Sequence, residues 1–359
     1  MKNGKFGFGI LGCGVISTAH LKGIASCPQA YVAAVCDIDE DKGRKLAAEN
    51  GNAKFYKDYR DLVKDPEVDV VSICTPSGIH AEGVVAAAQA GKHLLCEKPL
   101  DICAEKMSRM IEAADQARVK LGCVFQMRTD AVNIKAREIV RSGQLGRLTM
   151  GDAFMKYYRS RAYYASAGWR GTWELDGGGA LMNQCVHGID LLMWLMDSPV
   201  ERVFARAKHL VRDIEVEDTC CASLQFANGA LGTIIGTTSC NPGEPTRVEI
   251  HGDLGSLCMS DKKITHYAVT SEPDGLAQDQ TQSPQESQND SEDKMSAMND
   301  PGKISLRGHS FLVHDLIAAI TEDREPYIDG RSARRAVDLI LAIYESVRSG
   351  KDVQVKYGA

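Results

Sequence analysis

The sequence has no apolar run near the roughly 20 residues that a membrane-spanning helix needs, and Met-Lys-Asn-Gly-Lys leads into a strand-like segment rather than a signal-peptide core. A cytoplasmic location is the expectation. Positive charge is not in excess. Lys and Arg number 42 against 48 Asp and Glu, a formal −6. That leaves no basic footprint for nucleic acid or anionic membrane and makes small solutes the expected partners. The 12 cysteines include no C-x-x-C pair and are scattered through apolar segments (Cys36, Cys74, Cys96, Cys123), so they read as reduced core residues. Cys220 and Cys221, adjacent in a strand pattern, point to opposite faces, and no metal site is expected. Internal repeats are lacking, which argues against solenoids and propellers. With 359 residues, 44% hydrophobic and 25% charged, the chain is an ordinary globular protein long enough for two domains.

What is present is an alternation of short apolar runs and amphipathic stretches over residues 1–125, the pattern of repeated βα units on a parallel sheet. Six strands are predicted, at Phe6 to Leu11, Tyr31 to Cys36, Lys54 to Tyr56, Val68 to Cys74, His93 to Cys96 and Lys120 to Phe125. Residues 126–359 change texture. A helix from Ala131 to Ser142 is followed by longer strands at Arg147 to Tyr158, Val200 to His209, Cys220 to Phe226, Ala230 to Ser239 and Arg247 to Gly252. Asn228-Gly229 signals a hairpin, and this part reads as an α+β domain with a mostly antiparallel sheet. Residues 271–303, rich in Ser, Gln, Asp, Asn and Pro, are expected to form a mobile surface loop. Helices near Ser310 to Glu322 and Ser332 to Ser349, the latter closed by Gly350, end the domain.

Gly12-Cys13-Gly14-Val15-Ile16-Ser17 follows the first strand and opens an apolar helix. In that context a glycine turn lets backbone amides and the helix dipole meet a pyrophosphate, although Ser17 stands at the third glycine position. Asp37 ends the second strand, where a carboxylate accepts hydrogen bonds from ribose hydroxyls and repels a 2′-phosphate, favouring NAD over NADP. The plainer role for Asp37 is a helix N-cap with Glu40 following.

Glu97-Lys98-Pro99 ends the fifth strand, at the edge where doubly wound sheets bind ligands. Pro99 keeps Lys98 out of the helical region and lets its ammonium be aimed at a substrate oxygen. The stretch from Gly177-Gly178-Gly179 to Asp190 reads as a buried helix on which Asn183, His187 and Asp190, at i, i+4 and i+7, make one polar stripe. A histidine held by such neighbours in one tautomer can act as a general base near neutral pH, whereas a lone buried His is usually a satisfied core residue.

These motifs, with Thr75-Pro76-Ser77-Gly78-Ile79-His80, Ala90-Gly91-Lys92-His93 and Ala333-Arg334-Arg335-Ala336, resemble the Gfo/Idh/MocA oxidoreductase family over essentially the whole chain. The resemblance implies a Rossmann domain followed by an open-faced sheet domain, oligomerisation through that sheet, and hydride exchange between NAD and a sugar, inositol or related alcohol. It implies that Lys98 and His187 are catalytic and that Asn183 and Asp190 lie beside the substrate. It brings Gly12 to Ile16, Asp37, Thr75, Pro76, Ser77, His80, Glu97, Lys98 and Gln126 to the cofactor, and Arg128 near its nicotinamide side. Trp169 and Arg170 are expected against the cofactor too. Tyr158 and Arg159, within a cluster that also has Tyr157, Tyr163 and Tyr164, are expected against the sugar or an aglycone. Many family members carry Asp four residues before the catalytic His; Asn183 stands there, a neutral amide that cannot share protons. Leu181-Met182-Asn183-Gln184 with Gly168-Trp169-Arg170-Gly171-Thr172 looks most like the branch oxidising the 3-hydroxyl of sugars, which includes nucleotide-sugar 3-dehydrogenases and glycoside 3-oxidases. An inositol 2-dehydrogenase, an NAD-recycling glycosidase and a non-catalytic NAD-sensing regulator are the alternatives. Retention of both Lys98 and His187 argues against the regulator.

Overall fold

The computed structural model describes residues 4–281 and 307–358. They divide into two compact units. In the first, β1 (Phe6–Leu11), β2 (Ala30–Cys36), β3 (Lys54–Tyr56), β4 (Val70–Ile73), β5 (His93–Cys96) and β6 (Leu121–Cys123) form a parallel sheet in the order β3-β2-β1-β4-β5-β6. Every residue of β4 is buried, as expected where helices cover both faces. The helices are α1 (Ser17–Ala25), α2 (Glu40–Glu49), α3 (Tyr59–Leu62), α4 (His80–Gln89) and α5 (Ala104–Ala117). Met107, Met110, Ile111 and Ala114 recur at helical spacing on α5 and are its buried face. The strand order reverses at β1 and β4, so the crevice outside their carboxyl ends is where a doubly wound sheet takes a ligand. All six predicted strands are present, within three residues at each end.

The second unit contains α6 (Ala131–Arg141), α7 (Arg161–Ala165) and α8 (Val186–Met196). Its strands are β7 (Leu148–Lys156), β8 (Val200–Lys208), β9 (Thr219–Phe226), β10 (Leu231–Thr237), β11 (Arg247–Gly252), β12 (Gly255–Ser260), β13 (Lys263–Val269), β14 (Gln278–Asp279) and β15 (Val353–Gln354). They pair in the order β14-β13-β12-β11-β7-β10-β9-β8-β15. All pairs are antiparallel except β7 with β10. The Asn228-Gly229 turn joins β9 to β10, with Gly229 at φ +86°. Along β9, Cys220, Ala222, Leu224 and Phe226 are buried while Cys221, Ser223 and Gln225 face outward. One face of the sheet carries α8, and the other leaves Met150, Phe204 and Leu231 exposed at 42%, 37% and 55%. Strands β12 and β13 are absent from the sequence expectation; Gly255, Ser256 and Ser260 give β12 little β preference of its own, and pairing with β11 and β13 makes it a strand. Of the expected loop over 271–303, residues 271–281 contain β14, and 282–303 lie outside the described residues.

Helix α9 (Arg307–Glu322), assigned from sequence to the second domain, belongs instead to the first unit. Leu312, Val313, Leu316 and Ile317 are buried. At Gly23 of α1 a side chain would meet Val313 Cγ2 at 3.1 Å. The following segment extends the sheet at β6, where Cys123 N–H donates to Ile328 O at 2.9 Å. An apolar helix face does not reveal from sequence which layer it returns to. The boundary between the units falls within α10 (Gly330–Ser349), after Arg334.

Candidate active site

Gly12 adopts φ +98°, and a Cβ there would stand 2.7 Å from Cys74 O, so only glycine fits. A Cβ on Gly14 would meet nothing within 4 Å. No side chain caps α1 at Ile16, and the N–H groups of Ser17, Thr18 and Ala19 donate to Gly14 O, Val15 O and Ile16 O, so the start of the helix offers an anion its dipole and the glycine turn before it. Ser17 is buried and donates its hydroxyl back to Gly14 O at 2.7 Å, which shows how the chain accommodates it at the third glycine position. Asp37 accepts from Cys13 N–H at 2.7 Å and Asp39 N–H at 2.8 Å. The N-cap of α2 is Asp39 rather than Asp37, its carboxylate accepting from Lys42 N–H. Burial, with Asp37 and Asp39 nearby, pushes the Cys13 thiol up to about 12, so it is no nucleophile. The Thr75 hydroxyl is buried without a hydrogen-bond partner among the described residues. The glycine turn, with open space at Gly14, and this orphaned hydroxyl fit a dinucleotide.

His80 and Glu97 take a different place from that expected. His80 is 1% exposed; its Nε2 faces Thr75 O at 3.0 Å and its Nδ1 faces Pro99 O at 2.9 Å, so the ring clasps the two loops together. Glu97 is 5% exposed, and its carboxylate is engaged by His20 and His309. Both therefore brace the loops that follow β4 and β5 from the inside, while half-buried Lys98 follows at the end of β5. The Lys98-Pro99 bond is cis. Pro76 precedes a 3-10 turn over Ser77–Ile79, with Ser77 buried, and half-buried Gln126 opens the turn after β6.

In the second unit the stretch from Gly177 to Asp190 is not one α-helix. Residues Ala180–Cys185 form a π-helical turn that continues into α8, a wider winding that recurs at functional sites. The predicted α-stripe is thereby broken. Between 180 and 190, only Asn183, Gln184 and His187 are half-exposed; the rest are buried. Asp190 is turned away into a bidentate pair with Arg128, Nε to Oδ2 at 2.8 Å and Nη2 to Oδ1 at 2.5 Å.

Asn183 Nδ2 donates to Asp176 Oδ1 at 2.5 Å. Gln184 Nε2 donates to Asn183 Oδ1 at 2.8 Å and to Tyr163 Oη at 2.7 Å, and its Oε1 accepts from Arg159 Nε at 2.9 Å. Arg170 also donates to Tyr163 Oη and stacks over Tyr163 and Trp169 at 4.2 and 4.6 Å. Tyr158 is half-buried against the Arg212 guanidinium at 5.2 Å. Asp176, Gln184 and Glu217 are components that sequence reasoning missed. Asp176 is 1% exposed and brings a carboxylate to Asn183, where the family pattern would have had one in the helix itself. Its only signal was adjacency to the glycine run. Glu217 staples that run, accepting from Gly179 N–H at 3.0 Å, Leu181 N–H at 2.9 Å and Tyr344 Oη at 2.9 Å. A Cβ on Gly179 would lie 1.9 Å from Glu217 O, which is why the turn needs glycine.

Comparison with known proteins agrees with both halves. Residues 6–125 match the oxidoreductase-family NAD-binding Rossmann fold, and residues 133–258 match the GFO/IDH/MocA C-terminal domain. The chain belongs to the Gfo/Idh/MocA oxidoreductase family. It is 32% identical over 277 residues to a myo-inositol 2-dehydrogenase of Thermotoga maritima, covering 74% of this chain and 78% of that one. It is 29% identical over 285 residues to a levoglucosan dehydrogenase of Pseudarthrobacter phenanthrenivorans, covering 70% and 73%. The solved WlbA dehydrogenase from Bordetella pertussis, in complex with NADH and UDP-GlcNAcA, superposes with a TM-score of 0.86 at 32% identity over 99% of both chains. This Gfo/Idh/MocA protein is thus an NAD-dependent oxidoreductase of sugar-like alcohols. No helix among the described residues is long and apolar enough to cross a membrane, and the twelve cysteines form no disulfide among the described residues.

Proposed function

We propose that this protein oxidises the C3 hydroxyl of a sugar or glycoside to the ketone. His187 removes the hydroxyl proton, and Lys98 hydrogen-bonds the same oxygen and steadies the charge that develops on it. NAD supplies the hydride acceptor. The observation that carries the reading is the opening of an otherwise buried helical stretch at Asn183, Gln184 and His187 alone. Asn183 orients a neighbouring hydroxyl and is itself oriented by Asp176. Arg159 and Tyr158 face the sugar or its substituent, and Asp190 serves the site by fixing Arg128. Gly12 to Ile16, Asp37, Thr75, Pro76, Ser77, Gln126, Trp169 and Arg170 contact the cofactor. A cytoplasmic location fits NAD use and reduced cysteines.

A sugar carried on a nucleotide is the favoured form of the substrate, because the likeness to the WlbA dehydrogenase extends over 99% of both chains and that protein was solved with UDP-GlcNAcA. NADH absorbance is followed with excess NAD and, separately, UDP-N-acetylglucosaminuronic acid, glucose, an aryl O-glucoside, a C-glucoside and myo-inositol. Sustained growth with a sugar, with a 3-keto product by NMR, is the expected result. Growth with myo-inositol alone overturns C3 specificity. Sugar release with no more NADH than one enzyme equivalent identifies a recycling glycosidase instead.

The open sheet face, with Met150, Phe204 and Leu231 exposed, is proposed to pair copies of the chain. Leu231→Asp is expected to lower the mass seen by light scattering to that of a smaller species; a monomeric wild-type protein contradicts this.

A further inference from the structure

Three side chains of the first unit meet around one buried oxygen. Glu97 Oε1 lies 2.9 Å from His20 Nε2 on α1 and 3.1 Å from His309 Nε2 on α9. Glu97 Oε2 accepts from the main-chain N–H of Lys98 at 3.2 Å. The exposures of His20, His309 and Glu97 are 0%, 2% and 5%. The two rings pack edge to face, with centroids 5.4 Å apart. Both Nδ1 atoms are buried without a hydrogen-bond partner among the described residues.

That inventory determines where the protons are. A carboxylate oxygen only accepts, so each ring places a proton on Nε2. A second proton on either Nδ1 would have no acceptor among the described residues, so the hydrogen-bond geometry suits rings that donate from Nε2 to a carboxylate that carries the charge of the trio. Burial by itself would raise the Glu97 carboxyl, but hydrogen bonds from His20 and His309 hold it well below the ordinary carboxylate range. Burial also lowers His20, in keeping with a neutral ring. The same three donor atoms lie within 4.8 Å of one another, as a metal would require. A ligating imidazole, however, normally gives its other N–H to an acceptor, and neither Nδ1 has one among the described residues.

We infer that Glu97 is a permanent buried anion, clamped by His20 and His309, that favours binding of the oxidised, positively charged nicotinamide over the neutral reduced form and steadies the Lys98 peptide. The inference rests on the reading of Lys98 as a group acting at the reacting carbon, since the ring that accepts hydride then lies near this loop. Glu97 and its two histidines are positioning and electrostatic residues, not catalytic ones. The anion also balances the Lys98 ammonium one residue on, which would otherwise repel an oxidised ring. With an effective dielectric of about 20, a unit charge lost within roughly 10 Å of the ring changes the relative affinities by about tenfold.

The test titrates full-length wild type and Glu97→Gln with NAD+ and with NADH at pH 7, without sugar. Glu97→Gln is expected to raise the ratio of the NAD+ Kd to the NADH Kd by about tenfold, whereas a loosened fold weakens both cofactors alike. An unchanged ratio overturns the inference. If Glu97→Gln does not fold, 15N histidine NMR of wild type decides: His20 and His309 as neutral Nε2–H rings support the inference, and an imidazolium at either overturns it. Turnover by Lys98→Ala separates the two readings. With that variant inactive, an unchanged ratio removes only the electrostatic role of Glu97; with it fully active, the reading of Lys98 fails as well.

Discussion

His187→Ala is expected to reduce sugar oxidation by about 100- to 10,000-fold at saturating substrate, the range that a positioned general base contributes, with NAD+ affinity unchanged within about twofold. A secondary alcohol holds its proton far too tightly to release it to water at neutral pH, so hydride loss waits on a base. An imidazole is suited to that task because its ordinary pKa lies near 6.5. Lys98→Ala is expected to lose a similar factor because the alkoxide then develops without its nearby cation. Lys98→Arg should restore little, as a planar fork does not replace a compact ammonium. Initial rates with the substrate found by the panel, alongside cofactor titrations, check all three variants. Normal turnover by His187→Ala removes the assignment.

The second large effect is on stability. The Arg128–Asp190 pair is buried, with side chains 7% and 2% exposed, and breaking such a pair from one side costs about 3–5 kcal/mol because the remaining charge is stranded. Asp190→Ala leaves a guanidinium that cannot shed its proton and is expected to cost that full amount in denaturant melts. Arg128→Ala is expected to cost less at low pH. Burial raises the Asp190 carboxyl even with Arg128 nearby, and removing the cation raises it further, so the carboxyl can fold in its neutral form. A folded-state pKa above the unfolded value contributes stability below the unfolded value of about 3.9, and that stability is lost as pH rises through the folded value. The Arg128→Ala penalty should therefore grow with pH from about 4 upward, while that of Asp190→Ala stays flat. The double variant should cost less than the sum of the two.

The sequence makes the parallel sheet legible, because period, strand length and the glycine turn after β1 are local signals that a doubly covered sheet makes strong. It also determined the family and its cofactor, and it singled out Lys98 and His187 through motifs of adjacent residues. The hairpin at Asn228-Gly229 was legible for the same reason. The three-dimensional fold was needed to show that His80 and Glu97 face inward, since a motif tells which residues occur together and not which atoms they meet. It alone showed the π-helical turn that breaks the stripe of Asn183, His187 and Asp190, because a winding of the backbone set by packing leaves no mark in apolar periodicity. His20, His309 and Glu217 became visible in the same way. Each is distant in sequence from the group it serves, and a hydrogen bond closed across the fold is specified by where the chain returns rather than by its neighbours in the chain.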